Sequence, residues 1–490
     1  SMLLRPTCGL VPAAALGRHA VWRPGAGHRR LRACRVSLPS GLPRPAALCQ
    51  SLAAAAAALT LGARGRAAVQ RAAPVAMAAR KRAQLQADVR IDRVLFLGTG
   101  SAVPVPGKRN MSSLAVLLNT GGAIMVDCGE GTQHHLRCST LLKPCRLEAV
   151  LLTHLHGDHC FGLFGLLHTA AMEGRKEPVL LVGPQGLKEM VETVFRLSGG
   201  WFPEDSFRLE FLEIPNCGIP GHQDLVDANA TGPQKNGFSP ERCQGAAPVP
   251  LGERAGLILQ AVPLVHGVPD WGYLLTEPDR PGTLDAARAI ELGVPARSPF
   301  MGQLKAGQAV TLKDGTMVSP AQVVGPEIKG RTVAVLQDTS DARGALRACS
   351  GAACVIHEAT FEASMEGDAI AKGHSTSTMA ANFAAQCGAK RLVLTHFSAR
   401  YSTSSSAAGK DADSGDEALR DPAEQLGDEA REALGPDGPP VVVAKDFMVL
   451  RGDRDFEPEP TLAIRRSAWT RPGTRSASSN GVVCQVCGGP

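Results

Sequence analysis

The stretch that decides the fold reads Thr-His-Leu-His-Gly-Asp-His and occupies residues 153–159. An apolar run of strand length at residues 148–152 precedes it, and a run with helical spacing begins at Phe161. Three imidazoles and a carboxylate are costly to bury unless another group shares their lone pairs. His and Asp are also ligands that zinc prefers. The run therefore predicts a metal site where a buried strand turns into a helix, and a surface histidine patch is the alternative.

Three later apolar strands each end in a single polar residue, namely His266, Asp338 and His396. One such residue alone more often makes a local hydrogen bond, but three of them beside the histidine run favour metal binding. Seven ligands are too many for one zinc and suit two ions with a shared ligand. We assign His154, His156 and His266 to one metal, and Asp158, His159 and His396 to the other. Asp338 is assigned as the ligand that bridges the two metals.

Other polar residues near strand ends suggest supporting roles. Asp127 is expected to orient a metal ligand through a hydrogen bond, and Asp158 to accept the proton of the attacking water as well as to bind metal. Glu358 ends one strand and His374 begins a helix. A histidine oriented by a carboxylate could protonate a leaving oxygen, but a structural His–Glu pair explains the two residues equally well.

Strands and helices recur in two halves of the chain, which predicts two sheets packed together with helices outside, an αββα sandwich. We expect the folded domain to span residues 88–451. Within it, residues 216–255 are expected to form a loop, residues 402–440 a low-complexity acidic insertion with a helix at 416–434, and residues 441–450 a last strand. Residues 452–490 are expected to be disordered.

Charge is distributed unevenly along the 490 residues. Residues 1–87 contain thirteen Arg, one Lys and no acidic residue, whereas residues 88–490 have a net charge of −8. A globally basic nucleic-acid-binding surface is therefore excluded for the body, and RNA contacts must come from local patches. The leader is typical of a mitochondrial presequence; a plastid signal, an untargeted extension, or a cytosolic or nuclear form initiated at Met77 are the alternatives. No run is long and apolar enough to predict a transmembrane helix.

Longer motifs carry a resemblance to a known family. They read LGTGSA (97–102), DCGEGTQ (127–133), LTHLHGDHCFGL (152–163), HEAT (357–360), GHST (373–376), LTHFSARY (394–401) and DFMVL (446–450). The chain resembles the metallo-β-lactamase fold and, within it, short-form tRNase Z, which removes 3′ trailers from precursor tRNA. The resemblance implies two Zn²⁺ ions per subunit on the seven residues above, with Asp158 as the base and Glu358 and His374 protonating the departing 3′-oxygen.

The same resemblance implies a homodimer in which each subunit holds the tRNA with a protruding arm. The arm corresponds to residues 278–327, although residues 277–330 carry six basic and six acidic side chains and no net charge. Candidate substrate contacts lie in the loop at 106–110, in the arm and in the LTHFSARY stretch: Lys108, Arg109, Arg288, Arg297, Lys305, Ser398 and Arg400.

The resulting prediction is a zinc-dependent endoribonuclease that cuts precursor tRNA after the discriminator nucleotide and leaves a 3′-hydroxyl. The first alternative is a small-molecule phosphodiesterase, arylsulfatase or thioesterase of the same fold, which would need no arm. A nuclease of the RNase J or cleavage-factor type would need a large inserted domain, for which the sequence has no stretch. A binding protein without metal would be expected to lack ligands, and all seven are present.

Overall fold

The structure is a computed structural model that describes residues 89–106, 108–199, 206–215, 247–402 and 420–460. The predictions for the leader at 1–87, for Met77 and for residues 461–490 fall outside these ranges. Within them, no helix combines the length and the apolar character needed to cross a membrane.

Seventeen strands are present in the described part of the chain. They are β1 (Ile91–Gly98), β2 (Ser113–Leu118), β3 (Ala123–Val126), β4 (Leu147–Leu151), β5 (Val179–Pro184), β6 (Leu209–Ile214), β7 (Val249–Arg254), β8 (Leu257–Leu264), β9 (Asp270–Thr276), β10 (Val310–Thr311), β11 (Met317–Val318), β12 (Thr332–Leu336), β13 (Cys354–Glu358), β14 (Leu392–Thr395), β15 (Val441–Val443), β16 (Val449–Arg451) and β17 (Glu457–Pro458).

Nine α-helices accompany these strands in the described ranges. They are α1 (Thr132–Cys138), α2 (Gly157–Cys160), α3 (Leu163–Met172), α4 (Leu187–Leu197), α5 (Ala286–Glu291), α6 (Pro299–Lys305), α7 (Glu366–Ala371), α8 (Ser377–Cys387) and α9 (Glu424–Leu434). Helix α8 shows how the sequence sets the ends of a helix. The Thr376 side chain accepts a hydrogen bond from Met379 N at its start, and Gly388 ends it in the left-handed conformation at φ 65°.

The strands form two large sheets. The first has the order β17-β16-β1-β2-β3-β4-β5-β6, and the second has the order β15-β14-β13-β12-β9-β8-β7. Strands β3 to β6 are mutually parallel in the first sheet, as are β12 to β15 in the second. Strand β8 runs in the same direction as β12, because each is antiparallel to β9. The carboxyl ends of these strands therefore meet at one edge of each sheet.

Successive side chains of a strand point to opposite faces of its sheet, and this alternation separates the core between the sheets from the outer layers. Val94 and Phe96 of β1 belong to the core between the two sheets, whereas Leu95 and Leu97 face the opposite way. Outside the first sheet lie α1, α3 and α4, whose buried residues join that second cluster. Helices α8 and α9 cover the outer face of the second sheet. The predicted arrangement of layers, an αββα sandwich, is confirmed.

Several predicted elements are wrong in ways that share a cause. Part of the expected loop at 216–255 is β7, which pairs with β8. The single strand expected at 441–450 is two strands in different sheets, because the chain turns between them at Phe447 with φ 66°. Residues 452–460 are ordered, with β17 in the first sheet and Phe456 fully buried. Contacts between distant parts of the chain decided all three.

The segment expected to be an acidic insertion is also partly structural. Residues 403–419 lie outside the described ranges, but α9 begins at Glu424 and buries Leu426 and Ala430 against the second sheet. The helix expected at 416–434 is thus confirmed from 424 onward. Pro422 lies just before it, where proline is compatible with a helix start.

The arm segment, residues 278–327, has its own hydrophobic cluster around α5, α6 and the β10–β11 hairpin, with Ala289, Val294 and Leu304 buried in it. Two extended chains lead to this cluster and pair with each other. Arg280 and Ile328 exchange backbone hydrogen bonds of 2.9 Å in both directions, and Gly325 N donates to Thr283 O at 3.0 Å. These paired chains form a two-stranded stalk that carries the arm.

Candidate metal centre

The predicted ligands converge where the two sheets present their carboxyl ends. The run at 153–159 follows β4, His266 follows β8, Asp338 follows β12 and His396 follows β14. His154, His159, His396 and Asp338 are almost completely buried, while His156 and Asp158 face the open side of the site. The fold therefore brings all seven residues together, and each sheet supplies part of the set.

One group contains His154, His156, His266 and Asp338, whose candidate ligand atoms all lie within 4.8 Å of one another. Nδ1 of His156 is 3.0 Å from Nε2 of His154 and 3.2 Å from Nε2 of His266. Oδ2 of Asp338 lies 3.7 Å from His154 Nε2 and 3.8 Å from His266 Nε2.

The second group contains Asp158, His159, Asp338 and His396. Nε2 of His159 is 3.1 Å from Nε2 of His396, and Oδ2 of Asp158 is 3.6 Å from both of these nitrogens. Asp338 joins this group through its other oxygen, Oδ1, at 3.1 Å from His396 and 3.3 Å from His159. One carboxylate thus reaches both groups, which is the arrangement that a bridging ligand needs.

Hydrogen bonds behind the rings determine which nitrogen faces the centre. Nδ1 of His159 donates to Asp127 Oδ2 at 2.7 Å, and Nδ1 of His266 donates to Gly373 O at 2.8 Å. Nδ1 of His396 lies 2.9 Å from Thr360 Oγ1. The oxygens bound by His159 and His266 accept only, so both rings carry a proton on Nδ1. The Thr360 hydroxyl donates to Glu358 Oε2 and therefore accepts from Nδ1 of His396. The Nε2 lone pairs are left directed at the site, which is the usual arrangement of metal-binding histidines.

Asp127 has the orienting position predicted for it. Its Oδ1 accepts from Thr153 N at 2.8 Å while its Oδ2 accepts from His159, so the carboxylate ties the end of β3 to the start of the histidine run. Asp127 and His396 both have left-handed backbones, with φ of 58° and 59°. Such conformations are costly for residues other than glycine, and they concentrate at functional sites.

The donor set fits a divalent metal. Oδ1 of Asp338 is buried and has no hydrogen-bond partner in the described part of the chain, although two imidazoles lie beside it. Burial lowers the pKa of His266 to about 4, so this ring is neutral near pH 7 and its lone pair is free. Burial also opposes protonation of His159, yet Asp338 and Asp127 raise its pKa well above the ordinary value. The site therefore stabilises positive charge where the lone pairs meet.

Glu358 and His374 lie directly beside the second group. Nδ1 of His374 is 3.1 Å from Glu358 Oε1, and this oxygen also accepts from Thr339 N at 2.6 Å. Although burial lowers the pKa of His374, the Glu358 and Asp338 carboxylates together outweigh burial and raise it to about 9. The imidazole is partly exposed, whereas Glu358 is fully buried. His374 therefore holds a proton at neutral pH on a ring that borders the open side of the site.

The predicted substrate contacts divide into two kinds. One is contradicted: Arg109 is buried, where its Nη1 donates to Thr99 Oγ1 and Ala444 O and its Nη2 pairs with Asp421 at 2.8 Å. Its guanidinium also lies 4.4 Å from the centroid of Phe397. Because it is buried and both of its Nη atoms are bound to protein groups, Arg109 connects parts of the fold and does not face a substrate.

The other predicted contacts remain accessible. Lys108, Arg288, Arg297, Lys305 and Arg400 are exposed, and Ser398 is half-buried. Arg288 pairs with Glu291 on the surface of α5 at 2.9 Å. Such exposed pairs contribute under about 1 kcal/mol, so a phosphate could replace the carboxylate.

Sequence reasoning missed several residues that shape the site. Thr360 links Glu358 to His396, since its hydroxyl contacts both side chains. Ala102 N donates to Asp158 Oδ2 at 2.8 Å. Asp270 is a fully buried neighbour of the site, although its Oδ1, 3.7 Å from His154 Nδ1, is too far away for a hydrogen bond. Asp270 could have been found from the sequence, because it is an acidic residue at the start of the apolar strand β9. The contact of Ala102 could not have been predicted from residue types, because its backbone amide makes it.

This chain is similar to several known proteins. Residues 93–210 match the family model described as anti-Pycsar protein Apyc1. Ribonuclease BN of Erwinia tasmaniensis is 41% identical over 308 residues, which cover 62% of this chain and 89% of that protein. Ribonuclease BN of Escherichia coli is 36% identical over 313 residues, covering 63% and 90%. The human short form of tRNase Z is 27% identical, with a TM-score of 0.46 and coverage of 74% and 99%.

The match to the relative from Erwinia extends over almost nine-tenths of that protein at 41% identity. The chain belongs to the ribonuclease BN family.

Proposed function

We propose that this chain is a zinc-dependent endoribonuclease that removes the 3′ trailer from precursor tRNA after the discriminator nucleotide, leaving a 3′-hydroxyl. The observation that carries the proposal is the position of Asp338, whose two oxygens each face one group of ligands, with the Glu358–His374 pair alongside. Relatives named ribonuclease BN support RNA as the substrate.

The two ligand groups would hold two zinc ions, which act as Lewis acids that acidify water and offset charge on a phosphodiester. Asp158 is partly exposed, and its Oδ2 is held by the amide of Ala102. This carboxylate can accept a proton from a water on the open side of the site while it remains oriented by the backbone.

His374 is suited to protonate the leaving 3′-oxygen. Its Nδ1–H is engaged by Glu358 Oε1, so Nε2–H is the proton left to donate. The buried carboxylate keeps the ring charged before the reaction, as the pKa of about 9 indicates. Thr339 N and Thr360 Oγ1 hold both Glu358 oxygens, so the pair is fixed in one orientation.

The arm segment supports a large substrate. It has a hydrophobic core of its own at the end of a paired stalk, and its exposed cations include Arg297 and Lys305. The base of the stalk is anchored, since Glu277 is buried and pairs with Arg331 while accepting from Ile91 N at 2.8 Å. We include in the proposal a homodimer in which the arm holds tRNA for the partner subunit.

The test uses the full chain loaded with zinc and a precursor tRNA with a 3′ trailer. We expect cleavage next to the discriminator, which chelation or Asp158→Ala abolishes. A second variant replaces residues 284–324 with two glycines, because Thr283 O and Gly325 N are 3.0 Å apart and can be joined without opening the stalk. This variant should lose cleavage of tRNA and keep hydrolysis of bis(p-nitrophenyl) phosphate.

One result would refute the proposed activity, and a second would refute the role proposed for the arm. If the zinc-loaded chain ignores precursor tRNA but hydrolyses the small ester efficiently, a small-molecule phosphodiesterase becomes the better assignment. If the variant without the arm cuts tRNA as well as the intact chain does, the arm has no part in substrate binding.

A further inference from the structure

A large apolar side chain is exposed beside the metal centre without a role in it. Phe161 follows α2 directly and is 62% exposed, whereas His159 and Cys160 just before it are buried. Exposing an aromatic ring next to a cluster of imidazoles and carboxylates contributes nothing to the core. A ring in that position is available for a ligand that enters the site.

The absence of a side chain at Gly157 allows the Phe161 ring to occupy its position. A methyl group on Gly157 would lie 2.5 Å from Cε2 and 2.6 Å from Cδ2 of Phe161, so only glycine at 157 leaves room for the ring to lie there. Gly157 separates His156 from Asp158, which belong to the two different ligand groups. The ring is therefore held against the backbone between the two groups, on the side of the site where His156 is exposed and Asp158 is partly exposed.

We propose that Phe161 is a stacking platform for the nucleobase of the first trailer nucleotide, the one that follows the scissile phosphate. The inference rests on the proposed function. Aromatic side chains beside nuclease sites stack on unpaired bases, and single-stranded RNA is recognised largely in this way. A base is also the only large apolar surface that an RNA strand can offer to an exposed phenyl ring.

The position of the proton donor decides which base it is. His374 is on the half of the molecule that carries the second sheet, whereas Phe161 follows α2 on the half that carries the first. The proposed donor faces the 3′-oxygen of the discriminator, and the phosphate stays with the trailer after cleavage. The nucleotide on the opposite side of the scissile bond from His374 is the first trailer nucleotide, which places its base on the side of Phe161.

The experiment compares kcat/KM of the zinc-loaded full chain and its Phe161→Leu and Phe161→Tyr variants. The substrates are a precursor tRNA, the same RNA with an abasic first trailer nucleotide, and the same RNA with an abasic discriminator. Met172→Ala is the matched control, because Met172 is 64% exposed at the end of α3 and should not reach the RNA.

We expect Phe161→Leu to lower kcat/KM about tenfold on the intact precursor, and Phe161→Tyr and Met172→Ala to change it less than threefold. On the RNA with the abasic trailer nucleotide, wild type and Phe161→Leu should be equal. With the abasic discriminator, the tenfold difference should persist. Hydrolysis of bis(p-nitrophenyl) phosphate, which has no base to stack, should be unchanged in all variants.

Failure of the inference is distinguishable from failure of the proposed function. Cleavage by wild type with no loss in Phe161→Leu would overturn only the stacking platform. A difference that disappears with the abasic discriminator would move the stack to the tRNA side and overturn the assignment made here. If wild type does not cut precursor tRNA at all, the proposed function and this inference fall together.

Discussion

Replacing Asp127 with Asn tests the reasoning about how the metal ligands are oriented. The Asp127 carboxylate accepts from His159 Nδ1 at 2.7 Å and from Thr153 N at 2.8 Å. Asn has nearly the same shape and tolerates the left-handed backbone of φ 58° better than most residues. The substitution therefore removes the charge and an acceptor and leaves the backbone in place.

The expected magnitude follows from the tautomer of His159. Losing an orienting partner costs roughly 10- to 100-fold in metal affinity. Here the Asn amide nitrogen could face Nδ1 and act as donor, which would move the ring proton to Nε2, the nitrogen 3.1 Å from His396 Nε2. A protonated Nε2 cannot bind a metal, so we expect the upper end of the range, about 100-fold or about 2.7 kcal/mol.

The assay is competition for zinc between the full-length protein and a chromophoric chelator, with circular dichroism to verify the fold. Asp270→Asn is the matched control. Asp270 is equally buried, but its Oδ1 is 3.7 Å from His154 Nδ1, beyond hydrogen-bonding distance. We expect less than a threefold change for the control. Unchanged zinc affinity in Asp127→Asn, or an equal loss in both variants, would refute the reasoning.

Three further predictions follow from the same structure. Arg109→Ala should lower the free energy of unfolding in urea by about 2–4 kcal/mol, because it leaves the largely buried carboxylate of Asp421 without its partner. The control is the exposed neighbour: Lys108→Ala should change the free energy of unfolding by under about 0.5 kcal/mol. Weaker tRNA binding with unchanged stability in Arg109→Ala would contradict this prediction. Glu358→Gln should slow RNA cleavage about 100-fold without loss of bound zinc, and His374→Ala should slow it similarly. Both variants should hydrolyse bis(p-nitrophenyl) phosphate almost as before, because its leaving group needs no proton. An equal loss of activity on both substrates would exclude His374 as the proton donor. Light scattering of the chain should give twice its mass of 51.2 kDa, and a monomer that cuts tRNA at full rate would refute the dimer.

The ligand set was readable from the sequence because its signal is local. Each candidate ligand, or the short run that contains it, follows an apolar strand, and a strand's alternation and length are set within a few residues. Parallel strands then bring their carboxyl ends to one edge, so the sequence was enough to group His154, Asp338 and His396. The αββα class followed from the same alternation.

Only the tertiary structure decided what depends on contacts between distant parts of the chain. The sequence predicted Arg109 in a substrate loop, but Arg109 is buried and pairs with Asp421, which lies 312 residues away in the sequence. The segment expected as one strand at 441–450 divides between two sheets, because β15 pairs with β14 and β16 pairs with β1. Thr360 joins Glu358 to His396 through a single hydroxyl. Residue types and periodicity record which groups a strand presents, whereas the partner of each group is determined when the two halves pack together.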